Sequence, residues 1–84
     1  MDKYSVFLKI VETGSFTKAA QDLGYTQSAV SQIVRSLEKE LFSSLLLRDR
    51  NGATLTSEGR DLLPYIRSLS NSHLQLTEKA NDLH

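Results

Sequence analysis

The sequence predicts a small, mainly α-helical domain extended by one long C-terminal helix, and three observations carry that expectation. Apolar residues recur at helical spacing in three successive stretches, an Asn51-Gly52 step separates two short extended runs, and from Gly59 to Leu83 a stripe of positions alternates three and four apart. At 84 residues, with 39% apolar and 24% charged side chains, the chain suits one domain with a modest core.

The first helix is expected from Asp2 to about Thr13, where Tyr4, Phe7, Leu8 and Val11 share a face, and Gly14 stops it. Ser15 or Thr17 then caps a second helix through Leu23, with Phe16 filling the joint. Ala20 allows two helices to cross closely, and Gly24 supplies the left-handed residue that ends the second. Thr26 caps a third helix to about Leu41 whose apolar face is Val30, Val34, Leu37 and Leu41. After Ser43-Ser44, the runs Leu45 to Arg50 and Ala53 to Leu55 read as two strands. Asn51-Gly52 between them predicts a two-residue hairpin turn with both residues at positive φ. Such a hairpin would be a wing beside the helices.

The helix, tight Gly turn and second helix opened by small polar residues form the arrangement that lays a helix into the DNA major groove. On the outer face of that helix stand Gln27, Ser28, Ser31, Gln32 and Arg35, and no acid that would repel phosphate occurs from Thr26 to Leu37. The first acid is Glu38. Ten basic and ten acidic residues cancel, which counts against a binder that relies on a large positive field, so any DNA contact must be a local patch.

The final segment is a separate device. Thr56 caps a helix in which Gly59, Leu62, Ile66, Leu69, His73, Leu76, Ala80 and Leu83 form a heptad seam of about three heptads, with Pro64 expected to bend or weaken its first turns. Leu63, Tyr65 and Leu74 lie off the seam, where they would contact the helix's own domain, leaving the seam for a partner helix. His73 is the one large polar residue in the stripe, either paired with a partner side chain or at a surface edge. The alternative is a lone helix packed back on the domain. The reading divides the chain into a winged helix-turn-helix domain, 1–57, and a linker and dimerisation helix, 58–84.

Several function classes find no support. There is no cysteine, and no Cys, His or carboxylate cluster surrounds His73 or His84, so neither a disulfide framework nor a metal or other cofactor is expected. An enzyme is not expected, because neither histidine has a context that places it beside a nucleophile. No basic leader with an apolar core and no apolar run near the ~20 residues that span a bilayer occurs, so a cytoplasmic, nucleoid-associated protein without membrane contact is expected.

These residues resemble the LysR-type transcriptional regulators. The resemblance runs over essentially the whole chain, through Phe7, Val11, Gly14-Ser15-Phe16-Thr17, Ala19-Ala20, Leu23, Gln27-Ser28-Ala29-Val30-Ser31, Leu37-Glu38, Leu41, Leu45, Arg48, Leu55-Thr56 and Gly59. It implies a recognition helix in the major groove, a wing on the adjacent backbone or minor groove, and homodimers built from antiparallel linker helices. It also implies a larger effector-binding domain, absent from this chain, so the chain is expected to be an excised DNA-binding half or a natural truncation.

The roles that the resemblance carries over also make chemical sense. Gln27, Ser28, Ala29 and Gln32 would read bases, the amides pairing with adenine and the alanine methyl meeting thymine. Thr17, Thr26 and Ser31 would donate to phosphate near helix starts, and Arg35, Arg48 and Arg50 would supply the local positive charge. Leu62, Ile66, Leu69, His73, Leu76, Ala80 and Leu83 would form the dimer seam. Three residues depart from the family pattern. Phe42 stands where glycine is usual, so the turn is built differently or the helix runs on. Leu46 replaces a usual Phe, and Ile33 adds apolar surface beside the recognition face. The rival reading is a helical dimerisation or adaptor module with weak or no DNA binding.

Overall fold

A computed structural model describes residues 2–84. The chain forms α1 (Lys3–Thr13), α2 (Phe16–Leu23), α3 (Gln27–Leu41), β1 (Leu46–Asp49), β2 (Gly52–Leu55) and α4 (Ser57–Asp82). This is the winged helix-turn-helix with a long terminal helix that the sequence predicts. Asp2 and Thr26 precede their helices rather than opening them. Each keeps extended backbone so that its side chain accepts from the N–H three residues on, Asp2 Oδ1 from Ser5 at 2.9 Å and Thr26 Oγ1 from Ala29 at 3.0 Å. Ser15, not Thr17, caps α2 in the same way, and Thr56 caps α4. Burial pushes the Asp2 carboxyl up, but the Ser5 N–H and hydroxyl and the charge of His73 outweigh it and hold the group below its ordinary range.

Gly14 and Gly24 end α1 and α2 in the left-handed region. Phe42 ends α3 in that region too, at φ 52° and ψ 36°, so the expectation of a different turn or a longer helix is corrected. The backbone geometry of the usual glycine is kept with a residue for which it costs about 1–2 kcal/mol. Its side chain is 94% exposed and recovers nothing by burial.

Two apolar clusters meet on α1. Val6 and Ile10 join Phe16, Ala19, Ala20, Val30 and Val34, whereas Phe7 joins Leu37, Leu45 and Ile66. Tyr4, Leu8 and Val11, expected on the core face with Phe7, are half-buried at the edge of the second cluster. A helix covered on two sides has no single apolar stripe, which is why a one-face reading omits Val6 and Ile10. Ile33 packs against the first cluster instead of widening the outer face, and Leu46 touches both.

The hairpin differs from expectation at its turn. The register pairs Leu46 with Leu55 and Asp49 with Gly52, so Arg50-Asn51 is the loop and Gly52 opens β2. Asn51 is not at positive φ; its N–H donates to Asp49 Oδ1 at 2.8 Å, which stabilises the turn without the mirror-image geometry. Gly52 has φ 133° and a second constraint. A Cβ there would lie 2.3 Å from the Gly14 carbonyl oxygen, which accepts from Ala53 N–H at 2.8 Å.

Helix α4 corrects the picture of one continuous dimer seam. Gly59 lies against the Leu45 carbonyl, Ile66 is 2% exposed in the second cluster, and Leu62 and Leu63 are half-buried beside it. The first half of the stripe is therefore largely core of its own chain: Ile66 is not available to a partner as expected, and Leu62 is half taken up beside it. Tyr65 and Leu74, expected to make the internal contacts, are exposed instead. The helix runs unbroken through Pro64, and every residue from Asn71 onward is exposed. His73 turns towards α1, its Nδ1 3.5 Å from Asp2 Oδ2, and Ser70 Oγ lies 3.3 Å from Ser5 Oγ. The free half of α4 gives the molecule its long axis, 46 × 27 × 19 Å.

Two stability measurements check this account. Phe42→Gly should raise the unfolding free energy by about 1 kcal/mol, because relief of left-handed strain exceeds the added chain entropy of glycine. A urea midpoint that stays or falls would contradict the strain. Ile66→Ala should cost about 2–5 kcal/mol as a core truncation, whereas Leu76→Ala in dilute protein should cost less than about 1 kcal/mol. Equal losses would contradict the division of α4.

Candidate nucleic-acid interface

The turn between α2 and α3 decides which side of α3 faces outward. Val30, Val34 and Leu37 are buried against α1 and α2, which leaves Gln27, Ser28, Gln32 and Arg35 exposed on the opposite side, with Ala29 and Ser31 half-buried at its edges. Ser28, Gln32 and Arg35 line one shallow groove, continued along the helix by Ser36 and Lys39. Those last two residues were not foreseen. Their signal was the four-residue step from Gln32 to Ser36 and from Arg35 to Lys39.

A second concavity lies between the start of α2 and the wing. Thr17, Gln27, Arg48 and Arg50 line it together with Phe16 and Asp49. The structure thus brings five of the expected phosphate and base contacts, Gln27, Arg48, Arg50, Thr17 and Ser31, around the α2–α3–wing junction. Thr26 stands exposed at the start of α3 with its oxygen accepting as the cap, which leaves its hydroxyl proton free to donate to a ligand. Ser31 is likewise engaged, because its Oγ accepts from Arg48 Nη1 at 2.9 Å. The Arg48 guanidinium also lies 4.0 Å over the Phe16 ring.

Acids near this surface are occupied. Glu38 Oε2 accepts from Leu45 N–H at 2.6 Å and from Leu46 N–H at 3.3 Å, which ties the end of α3 to the first strand. Asp49 accepts from Asn51, and Glu40, at the far end of α3, pairs with Lys3. The hydrogen bond that Lys3 donates to the Glu40 carboxylate raises its ammonium above the ordinary value. None of the expected dimer residues borders either concavity; Leu69, Leu76 and Leu83 lie exposed on the distal half of α4. Among the described residues no group of three His, Cys, Asp or Glu could hold a metal ion, and no helix is long and apolar enough to cross a membrane.

Comparison with known proteins agrees with this geometry. Residues 1–60 match the family model described as bacterial regulatory helix-turn-helix protein, lysR family. The HTH-type transcriptional regulator YvbU of Bacillus subtilis (strain 168) is 52% identical over 65 residues, which is 76% of this chain and 22% of that protein. The chain therefore spans about a fifth of the length of that relative. Among solved structures, Corynebacterium glutamicum OxyR (C206S mutant, H2O2-bound) superposes with a TM-score of 0.86 at 28% identity, over 94% of this chain and 26% of that one. The BenM_DBD complex with catB site 1 DNA superposes with a TM-score of 0.83 at 31% identity, over 96% of this chain and 91% of that one. The matched core, turn and wing are those built up above from their residues, and the chain belongs to the lysR family of bacterial regulatory helix-turn-helix proteins.

Proposed function

We propose that this chain binds double-stranded DNA sequence-specifically as the DNA-binding part of a transcriptional regulator, with α3 in the major groove and the wing on the adjacent backbone or minor groove. The observation that carries this reading is the outer side of α3. Gln27, Ser28, Gln32 and Arg35 are exposed on it with no acid between Gln27 and Leu37, and Arg48 and Arg50 flank it from the wing. Gln27, Ser28, Ala29 and Gln32 read base edges; Thr17, Thr26, Arg35, Arg48 and Arg50 meet phosphate, with Ser31 engaged by Arg48 among them. The BenM_DBD complex, in which a similar fold is bound to DNA, supports DNA binding by this chain. The protein acts in the cytoplasm at the nucleoid and catalyses no reaction.

Residues 1–57 are the reading domain and 58–84 the linker helix, with Gly59 to Ile66 shared with the core. Leu69, Leu76 and Leu83 are exposed at seven-residue intervals, with Ala80 among them, which supports a homodimer through the distal half of α4. The family resemblance supports the antiparallel arrangement. Two heads related by a two-fold axis would meet inverted half-sites about one turn of DNA, ~34 Å, or a multiple of it apart.

A duplex enriched from a random-sequence pool by the wild-type chain tests the first claim. Gln27→Ala or Gln32→Ala should cost about 1–3 kcal/mol on that duplex and far less on a scrambled one. Equal weakening on both would remove the glutamines from base reading, and a chain that enriches nothing and shows no salt-dependent binding would be the adaptor instead. For the dimer, sedimentation should give a two-fold assembly at micromolar concentration. Leu69→Asp with Leu76→Asp should yield a folded monomer, while a wild-type chain that stays monomeric at high concentration would overturn the seam.

A further inference from the structure

Of the three arginines assigned to the DNA surface, Arg48 is the one the fold holds in place. Its guanidinium lies 4.0 Å over the Phe16 ring, and its Nη1 donates to Ser31 Oγ at 2.9 Å. Among the described residues, no hydrogen bond or ion pair fixes the side chains of Arg35 or Arg50. We infer that Phe16 and Ser31 are positioning residues that preset the Arg48 guanidinium as a phosphate clamp between the recognition helix and the wing; the inference rests on the DNA-binding reading above.

Three elements meet at this one charge. Phe16 opens α2, Ser31 lies on α3 and Arg48 on β1. Arg48 pairs in the hairpin with Ala53, whose N–H donates to the Gly14 carbonyl two residues before Phe16. The strand is therefore registered on the joint that carries the ring, which brings the Arg48 side chain within reach of it, and the contacts to Phe16 and Ser31 hold the guanidinium there. Phe16 is buried, so its ring cannot turn away.

The chemistry leaves the cation free to act. A guanidinium presents five N–H donors in a plane; the ring takes one face and Ser31 takes one donor, which leaves donors for a phosphate. Glu38 and Asp49 border the same concavities but are engaged by the N–H groups of Leu45, Leu46 and Asn51, and neither forms an ion pair with Arg48. In a chain with ten basic and ten acidic residues there is no general positive field to hold DNA. A cation ordered beforehand loses less side-chain freedom on binding than a loose one. Lysine would keep the charge but neither the planar stack nor the fork.

The test uses the enriched duplex, anisotropy titrations at several salt concentrations, and a thermal melt of every variant. Arg48→Lys should weaken binding about fivefold despite the retained charge, and Arg48→Ala should lower the magnitude of the salt slope by about one. Ser31→Ala should weaken binding about fivefold when Arg48 is present and have almost no effect in the Arg48→Ala background, because its contribution passes through Arg48. Phe16→Leu should couple to Arg48 in the same way; if its melt shows a damaged fold, Arg48→Lys carries the test of the stack. Wild-type binding by Arg48→Lys would overturn the clamp, and so would equal weakening by Ser31→Ala in both backgrounds, which would make Ser31 a direct DNA contact. A wild-type chain that enriches no duplex would instead overturn the DNA-binding reading, and this inference with it.

Discussion

A backbone hydrogen bond with no room for a side chain beside it seats the wing: Ala53 N–H donates to the Gly14 carbonyl, and a Cβ on Gly52 would lie 2.3 Å from the same oxygen. A two-stranded hairpin is marginal by itself in water, so β1 and β2 need the body of the domain to define their place. Two further attachments complete the seat, the Glu38 carboxylate on the N–H groups of Leu45 and Leu46, and the Leu45 carbonyl accepting from Thr56 N–H at 3.0 Å. Each such bond contributes only about 1 kcal/mol, but a buried donor or acceptor left without one costs about 1–3 kcal/mol. Displacing the wing would break several at once. The position of Arg48 relative to α2 and α3 follows from this seat.

The second constraint is electrostatic. With formal charge cancelled overall, the chain cannot hold DNA through its general field, and the placement of acids matters as much as that of bases. Glu40 is paired with Lys3 at the far end of α3, and Glu38 is turned into the wing attachment. The outer side of α3 is left to amides, hydroxyls and cations. A carboxylate that serves a backbone also spares a guanidinium that would otherwise be captured.

Much of the fold was legible because local signals agreed with tertiary ones. Gly14 and Gly24 marked the ends of α1 and α2, and Thr26 marked the start of α3, to within a residue. What stayed hidden depended on contacts between distant segments. Val6 and Ile10 are buried because α1 is covered on two sides, and the turn residues shifted because Gly52 answers to Gly14 rather than to the hairpin alone. Ile66 reads as a seam position by spacing, yet Leu45 and Phe7, far from it in sequence, claim it for the core. For the candidate site, the residue types on α3 were readable from period and polarity. The engagement of Ser31 by Arg48 was not, since the two lie seventeen positions apart on different elements, α3 and β1.

Amide shift mapping of the 15N-labelled chain on the duplex it enriches would locate the reading surface residue by residue without altering the protein. The largest changes should fall on Thr26 to Arg35 and on Arg48 to Gly52, while the amides from Asn71 to Leu83 keep their positions. Changes confined to α4, or spread evenly over the surface with none concentrated on α3 and the wing, would contradict that placement.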